Sequence, residues 1–318
     1  MKRKKGLSPA AAWMIRIIGS GFFLWLILRT IKINEVLQQI QTINRIVYFI
    51  LFILFLGYQF LTGVRWYMLL KMVGIEGSLH SLYRSVLYGQ LISRILPTSI
   101  GGDSARIGFL LVNYPHKKYE SVSATLMDRI IGLYSLVMIA VITLPFVPIF
   151  SIREQMLGLA VLVLSLILSL LTIMGPLDGF FIWLIESRWM PVFLRKRMRK
   201  FWKVFLDFRK DKIRLLGIFL FSIVIQIILL FSQYLTFTAV GGEVSLFQLF
   251  IILPIVSIIT LLPISIGGLG LREASLLAFL SIDNDVVIMY SVIRYSFFIF
   301  LPLLLLIDQA VNETSKVE

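Results

Sequence analysis

The chain has 318 residues, of which 58% are hydrophobic and 15% charged, with a mean hydropathy of +0.92. A soluble domain has roughly 45–50% apolar and about 25% charged residues, so this excess cannot be hidden in one aqueous core and a soluble enzyme is excluded. Net charge is +14, but Lys2–Lys5 hold four of these units. Eleven Lys or Arg against Asp207 and Asp211, between Arg188 and Arg214, hold nine more and leave +1 for the rest of the chain. Basic residues confined to two patches beside apolar runs follow the positive-inside rule and argue against a nucleic-acid partner. There is no cysteine, and His80 and His116 lie far apart. Disulfides, thiolate metal sites and histidine-pair metal sites therefore have no support, and no cofactor is expected.

In chain order, Lys2–Lys5 resembles the start of a signal peptide. The apolar stretch Ile17–Leu28, however, runs into Arg29-Thr30-Ile31-Lys32 without a small-residue cleavage pattern. It reads as a retained first span at 11–30, with Arg16 snorkelling towards headgroups. Further segments long enough to cross a hydrocarbon core of about 30 Å lie at 45–64, 121–147, 154–174, 213–238 and 284–307. Between the third-last and second-last of these, 188–212 reads as a cytoplasmic amphipathic helix. Met198, Phe201, Trp202, Phe205 and Phe208 recur among Lys and Arg, the pattern of a helix lying in the headgroup plane on anionic lipid. With the N-terminus and this block inside, the C-terminus is inside too, in a multi-pass protein of the cell membrane.

Two more regions, about 80–112 and 246–280, are apolar but interrupted. The predicted fold is an all-α polytopic membrane protein with about six full spans and two broken, re-entrant elements, countable as eight helices. The breaks resemble each other. Leu96-Pro97-Thr98-Ser99-Ile100-Gly101-Gly102-Asp103-Ser104-Ala105-Arg106 agrees with Leu262-Pro263-Ile264-Ser265-Ile266-Gly267-Gly268-Leu269-Gly270-Leu271-Arg272 at seven of eleven positions, at an offset of 166. This reads as one membrane domain (1–318) with an internal repeat, about 45–147 and about 213–307. The span count inserts the two copies in opposite orientations, a construction common in secondary transporters.

Pro and paired Gly end a helix and let a new one start. In lipid such a turn must be buried in protein or line a polar cavity, and a helix start attracts anions. The candidate substrate-binding set is therefore Arg94, Gly101, Gly102, Asp103 and Arg106 around the first break. Gly267, Gly268, Arg272 and Glu273 surround the second, and Asp128, Arg129 and Arg294 lie in the adjoining spans. Ionisable groups at bilayer depth cost roughly 2.5–3.5 kcal/mol on insertion scales and mark function, and Arg suits bidentate phosphate contacts. Structural ion pairs or interfacial snorkelling are the plainer alternative for the same residues.

The runs Pro97–Arg106, Asp128-Arg129-x-x-Gly132-Leu133 and Pro263–Glu273 together resemble the lysylphosphatidylglycerol synthase transmembrane-region family, also called flippase-like domain proteins. The resemblance implies a polytopic inner-membrane protein of about eight helices. In bifunctional members this region moves an aminoacylated phospholipid between leaflets, and a separate soluble domain performs the aminoacyl transfer. Only eleven residues follow Ile307, so a stand-alone member without that domain is expected.

These readings converge on a lipid flippase or transporter for a phosphate-bearing lipid, phospholipid or polyprenyl-linked, rather than an enzyme. Two alternatives remain. One is a membrane-embedded lipid-phosphate transferase using Asp103, Asp128 or Glu273 as bases. The other is a non-catalytic partner that recruits a soluble lipid-modifying enzyme through the basic 188–214 surface. The expected partners are a lipid phosphate headgroup and the anionic membrane surface.

Overall fold

The computed structural model describes residues 43–95, 101–147, 152–153, 156–158, 160, 163–164, 178–187, 191–262, 265, 268–280 and 282–314, with only the backbone described at 91–95, 192–193, 299 and 301–314. The expected span 11–30 and most of 154–174 lie outside the described residues. Among the described residues every regular element is helical. In order they are α1 (Arg45–Met72), α2 (Leu79–Ile95), α3 (Gly101–Asn113) and α4 (Lys118–Thr143), the last followed by a 3-10 turn at Leu144–Phe146. Then come α5 (Asp178–Glu186), α6 (Val192–Phe208), α7 (Lys212–Ala239), α8 (Leu246–Ile259), α9 (Leu271–Phe279) and α10 (Asn284–Thr314).

Three of the described helical stretches, Arg45–Met72, Lys118–Phe146 and Lys212–Ala239, are long and apolar enough to cross a membrane. Helix α7 shows why lipid is their solvent. Its exposed residues Ile213, Leu216, Leu220, Val224, Ile227 and Phe231 recur every three or four positions, so one whole face is apolar and uncovered. Leaving these side chains in water would forgo about 1.5–3 kcal/mol each. The opposite, buried face carries Ser222, Gln226, Gln233 and Thr236 among its apolar residues. That is the reverse of a soluble amphipathic helix.

Helices α1 and α7 end in the same way. Each closes on a left-handed glycine, Gly74 (φ 74°) and Gly241 (φ 79°). The amide after each glycine donates back five residues, Ile75 N to Leu70 O at 3.0 Å and Gly242 N to Phe237 O at 2.8 Å. This is the Schellman closure. The surrounding residues match as well: Val73-Gly74-x-Glu76-x-Ser78-Leu79 and Val240-Gly241-x-Glu243-x-Ser245-Leu246. Both helices have 28 residues, and the bounds of α1 shifted by 167 are those of α7.

The chain divides into two compact units, one from Met1–Tyr58, Arg84–Arg106 and Ile228–Glu318, the other from Gln59–Tyr83 and Ile107–Ile227. In the first, α8 packs on α9 and α9 on α10. Phe297 of α10 meets Tyr48, Phe52 and Phe55 of α1 at ring separations of 5.2, 5.9 and 5.5 Å. Phe237 of α7 stacks on Tyr290 of α10 at 4.1 Å. In the second, α6 packs on α4 and α5. On its apolar face Met198, Phe201, Trp202 and Phe205 are half-buried. Val204 and Phe208 are buried, and Trp202 stacks on Phe181 of α5 at 4.5 Å.

Candidate functional site

The second unit holds a closed ion pair. Helix α1 continues to Met72 rather than stopping near residue 64, because the charge that appears to end the apolar run is neutralised inside. Arg65 Nε donates to Asp128 Oδ1 at 2.8 Å and Nη1 donates to Ser222 Oγ at 2.7 Å. Both charged residues are under 5% exposed. Asp128 and Gly132 stand four apart on α4 and so share one face. Gly132 makes room for the guanidinium: a Cβ there would meet Arg65 Nη2 at 3.1 Å and Nη1 at 3.2 Å. Gln226 Nε2 donates to the Gly132 carbonyl at 3.2 Å, which ties α7 to the same point. Asp128 is thus held by Arg65, while Arg129 beside it is half-buried. Sequence reasoning missed Arg65, which stands just past the chosen end of span two. The available signal was an acid and an arginine in different apolar segments, one of them followed by a glycine four residues on.

The described part of the first break, from Gly101 onward, lies in the other unit. Arg94 lies on the last turn of α2, its side chain outside the described set. Gly101 and Gly102 open α3 and are buried. Asp103 follows in the first turn, where a carboxylate complements the helix dipole, and its Oδ1 lies 3.8 Å from Arg106 Nη1. Arg106 crosses Gly89 of α2. A Cβ at residue 89 would meet Arg106 Cγ at 2.7 Å and the Gly102 carbonyl at 2.8 Å, so only glycine fits there.

The second break enters α9 through Gly268 (φ 81°) and Gly270 (φ 76°), a conformation that penalises any residue with a Cβ. Gly267 lies outside the described residues. The anion position at the start of α9 is already taken by the protein. Glu273 turns back, and its Oε2 accepts from the Gly270 amide at 2.8 Å. Its Oε1 accepts from Ser291 Oγ at 2.7 Å and from the Tyr295 hydroxyl at 3.4 Å.

Arg272, beside it, is in electrostatic range of Arg294, Tyr290, Tyr295 and Glu273. Among the described residues neither arginine has an ion pair, and Arg272 Nε and Arg294 Nη1 are buried without a hydrogen-bond partner. Arg294 also lines a cavity of about 40 Å³ whose polar wall is Tyr58, Ser232, Gln233, Thr236 and Tyr290. The Tyr290 hydroxyl donates to Gln233 Oε1. Arg294 on the wall of this small polar cavity, with Arg272 near it, can take an anion with oxygen acceptors. Gln233 and Tyr290 carried no signal in the sequence; they are ordinary polar residues until their neighbours are known.

Residues 13–306 match the family described as Lysylphosphatidylglycerol synthase TM region. The chain belongs to that family. Within it, a UPF0104 membrane protein of Methanothermobacter thermautotrophicus is 24% identical over 293 residues, covering 86% of this chain and 82% of the relative. A UPF0104 membrane protein of Pyrococcus horikoshii is 21% identical over 232 residues, covering 66% and 69%. No solved structure matches the chain. The family match spans both breaks and the Asp128–Gly132 run, so family membership and the site geometry concern the same residues.

Proposed function

We propose that this protein is a carrier of the cell membrane that moves a phosphate-bearing lipid between leaflets, with the headgroup phosphate held by Arg272 and Arg294. One observation carries the reading: two neighbouring guanidinium groups with no salt bridge among the described residues, each with a buried N–H that has no acceptor. A buried charge is costly unless paired, and a phosphate offers bidentate, charge-assisted acceptors to arginine. Membership of a membrane family whose description includes a lipid synthase supports a lipid cargo.

The two helix series, α1 to α4 and α7 to α10, would be copies inserted in opposite orientations, with both termini cytoplasmic. Support comes from the shared closing sequence of α1 and α7 and from the similar Pro-x-Ser-Ile-Gly-Gly breaks. Such a pair exchanges access between the two sides by rocking one copy against the other. Asp103–Arg106 and Arg272–Arg294 would then serve opposite sides.

Purified protein in liposomes tests the reading. With fluorescent headgroup-labelled phospholipid, transbilayer movement should be faster than in protein-free vesicles and should return to that background in an Arg272→Gln, Arg294→Gln double variant. Equal rates for wild type and double variant would sink it.

A further inference from the structure

The open cavity beside Arg294 and the closed pair at Arg65 occupy corresponding places in the two helix series. We infer that the Arg65 guanidinium is a built-in occupant: it seals in the first series the pocket that the second series leaves open for the headgroup phosphate. The inference rests on the reading of Arg272 and Arg294 as the phosphate site.

The bounds of α1 shifted by 167 are those of α7, so Arg65 corresponds to Ser232 and Trp66 to Gln233. The offset is 166 at the Pro-x-Ser-Ile-Gly-Gly breaks and 165 at α4 and α10, where Glu120 falls on Asp285 and Arg129 on Arg294. In that register Thr125 corresponds to Tyr290. The hydrogen bonds follow the same offsets. Trp66 Nε1 donates to Thr125 Oγ1 at 3.3 Å in one unit, and the Tyr290 hydroxyl donates to Gln233 Oε1 in the other. Corresponding positions are thus joined as corresponding pairs, although the residue types differ.

The surroundings of Arg65 then locate the cavity. Its guanidinium bonds Asp128 on α4 and Ser222 on α7, and lies over Gly132, where a Cβ would meet it at 3.1 Å. By the same offsets Ser222 corresponds to Phe55 of α1, and Asp128 and Gly132 correspond to Ile293 and Phe297 of α10. Phe55, Phe297 and Ser232 line the cavity, together with Gln233, Tyr290 and Arg294. Where the first series has a long arginine the second has a serine, and the volume stays open. That volume, about 40 Å³, holds a few water-sized groups of about 10–15 Å³ each, the scale of a guanidinium or of the oxygens of a phosphate group. The two occupants have opposite charge. Arg65 brings a cation to Asp128; the second pocket has Ile293 in place of that acid and Arg294 on its wall, and so suits an anion with oxygen acceptors. A buried ion pair is costly to break, so the sealed pocket serves the fold, while the open one can exchange what it holds.

Moving the plug tests this. The full chain in detergent is titrated with fluorescent dioctanoyl phosphatidylglycerol, with glycerol 1-phosphate as the free-anion competitor. A Ser232→Arg, Ile293→Asp, Phe297→Gly variant carries the first pocket's own residues into the second. It is expected to keep its unfolding midpoint and to bind at least about tenfold more weakly, one step on the affinity scale. Should it fold poorly, Ser232→Leu fills the cavity without a charge and is expected to give the same loss. Arg65→Met with Asp128→Leu replaces the sealed pair by apolar side chains and is expected to bind within about twofold of wild type. If the filled variants bind as wild type does while Arg272→Gln, Arg294→Gln abolishes binding, the plug inference falls and the phosphate site stands. If that arginine double variant binds as wild type does, the site reading itself falls. Loss of binding in folded Arg65→Met, Asp128→Leu protein would put the first pocket inside the site and overturn the division between the two. Glycerol 1-phosphate displacing the lipid at equal concentration would make the occupant a free phosphate and overturn the headgroup part of the inference.

Discussion

Two charged pairs in this molecule are built on opposite principles, Arg65 and Asp128 buried, Arg272 and Arg294 half-buried. Around Arg65 the protein brings its own anion: Asp128 at 2.8 Å, a serine hydroxyl on a second nitrogen, and a glycine that clears the space. Around Arg272 and Arg294 it brings a second cation, and the one nearby acid is already engaged with backbone and hydroxyls. Burying a charge is tolerated when it is paired and hydrogen-bonded. The first pair meets that condition internally and can serve the fold alone. Among the described residues the second has no salt bridge on either guanidinium, and the proposed headgroup phosphate would supply one. Intramembrane charge by itself therefore says little about function; what discriminates is whether the protein has supplied the counter-ion.

This contrast can be broken by mutation, starting with the largest effect. Asp128→Ala leaves Arg65 as an uncompensated buried cation and should cost about 3–5 kcal/mol, read as a lowered unfolding midpoint in mixed micelles. An Arg65→Met, Asp128→Leu double variant should recover most of that loss. Gly132→Ala pushes a methyl to 3.1 Å from the guanidinium and should cost about 1–3 kcal/mol by the same measurement. Removing the carboxylate that closes α9, in Glu273→Ala, leaves the Gly270 amide and Ser291 unsatisfied. A cost of about 1–3 kcal/mol is expected. Arg294→Gln is expected to change stability by less than about 1 kcal/mol, or to raise it, since it removes one of two like charges. A loss of several kcal/mol there, matching Asp128→Ala, would make the two pairs alike and erase the contrast.

Much of the helix pattern was legible from hydropathy, because apolar runs long enough for a bilayer leave few other structures open. The breaks were legible too. Pro and paired Gly interrupt two apolar runs, and helix stands on either side of both interruptions: α2 and α3, then α8 and α9. What failed was the meaning of single charges. The expected span two stops at residue 64, one short of Arg65, whose partner lies 63 residues away in another helix. Arg106 and Arg272 align in the sequence match, yet Arg106 is the sixth residue of α3 and Arg272 the second of α9. Linear similarity does not by itself carry helical position. On the apolar face of α6 Phe208 is buried and Trp202 stacks on Phe181. Periodicity reveals an apolar face but not what covers it.

By itself the sequence determined that this is a helical membrane protein, where its helices break, and that its informative charge is the small remainder outside two basic patches. Those properties follow from local chemistry: transfer of apolar side chains, loss of a backbone donor at proline, freedom of φ at glycine. Only the tertiary structure decided which charges cancel. Pairing depends on distances of a few ångströms between residues far apart in the chain, and no local property encodes that Asp128 finds Arg65 while Arg294 finds another arginine.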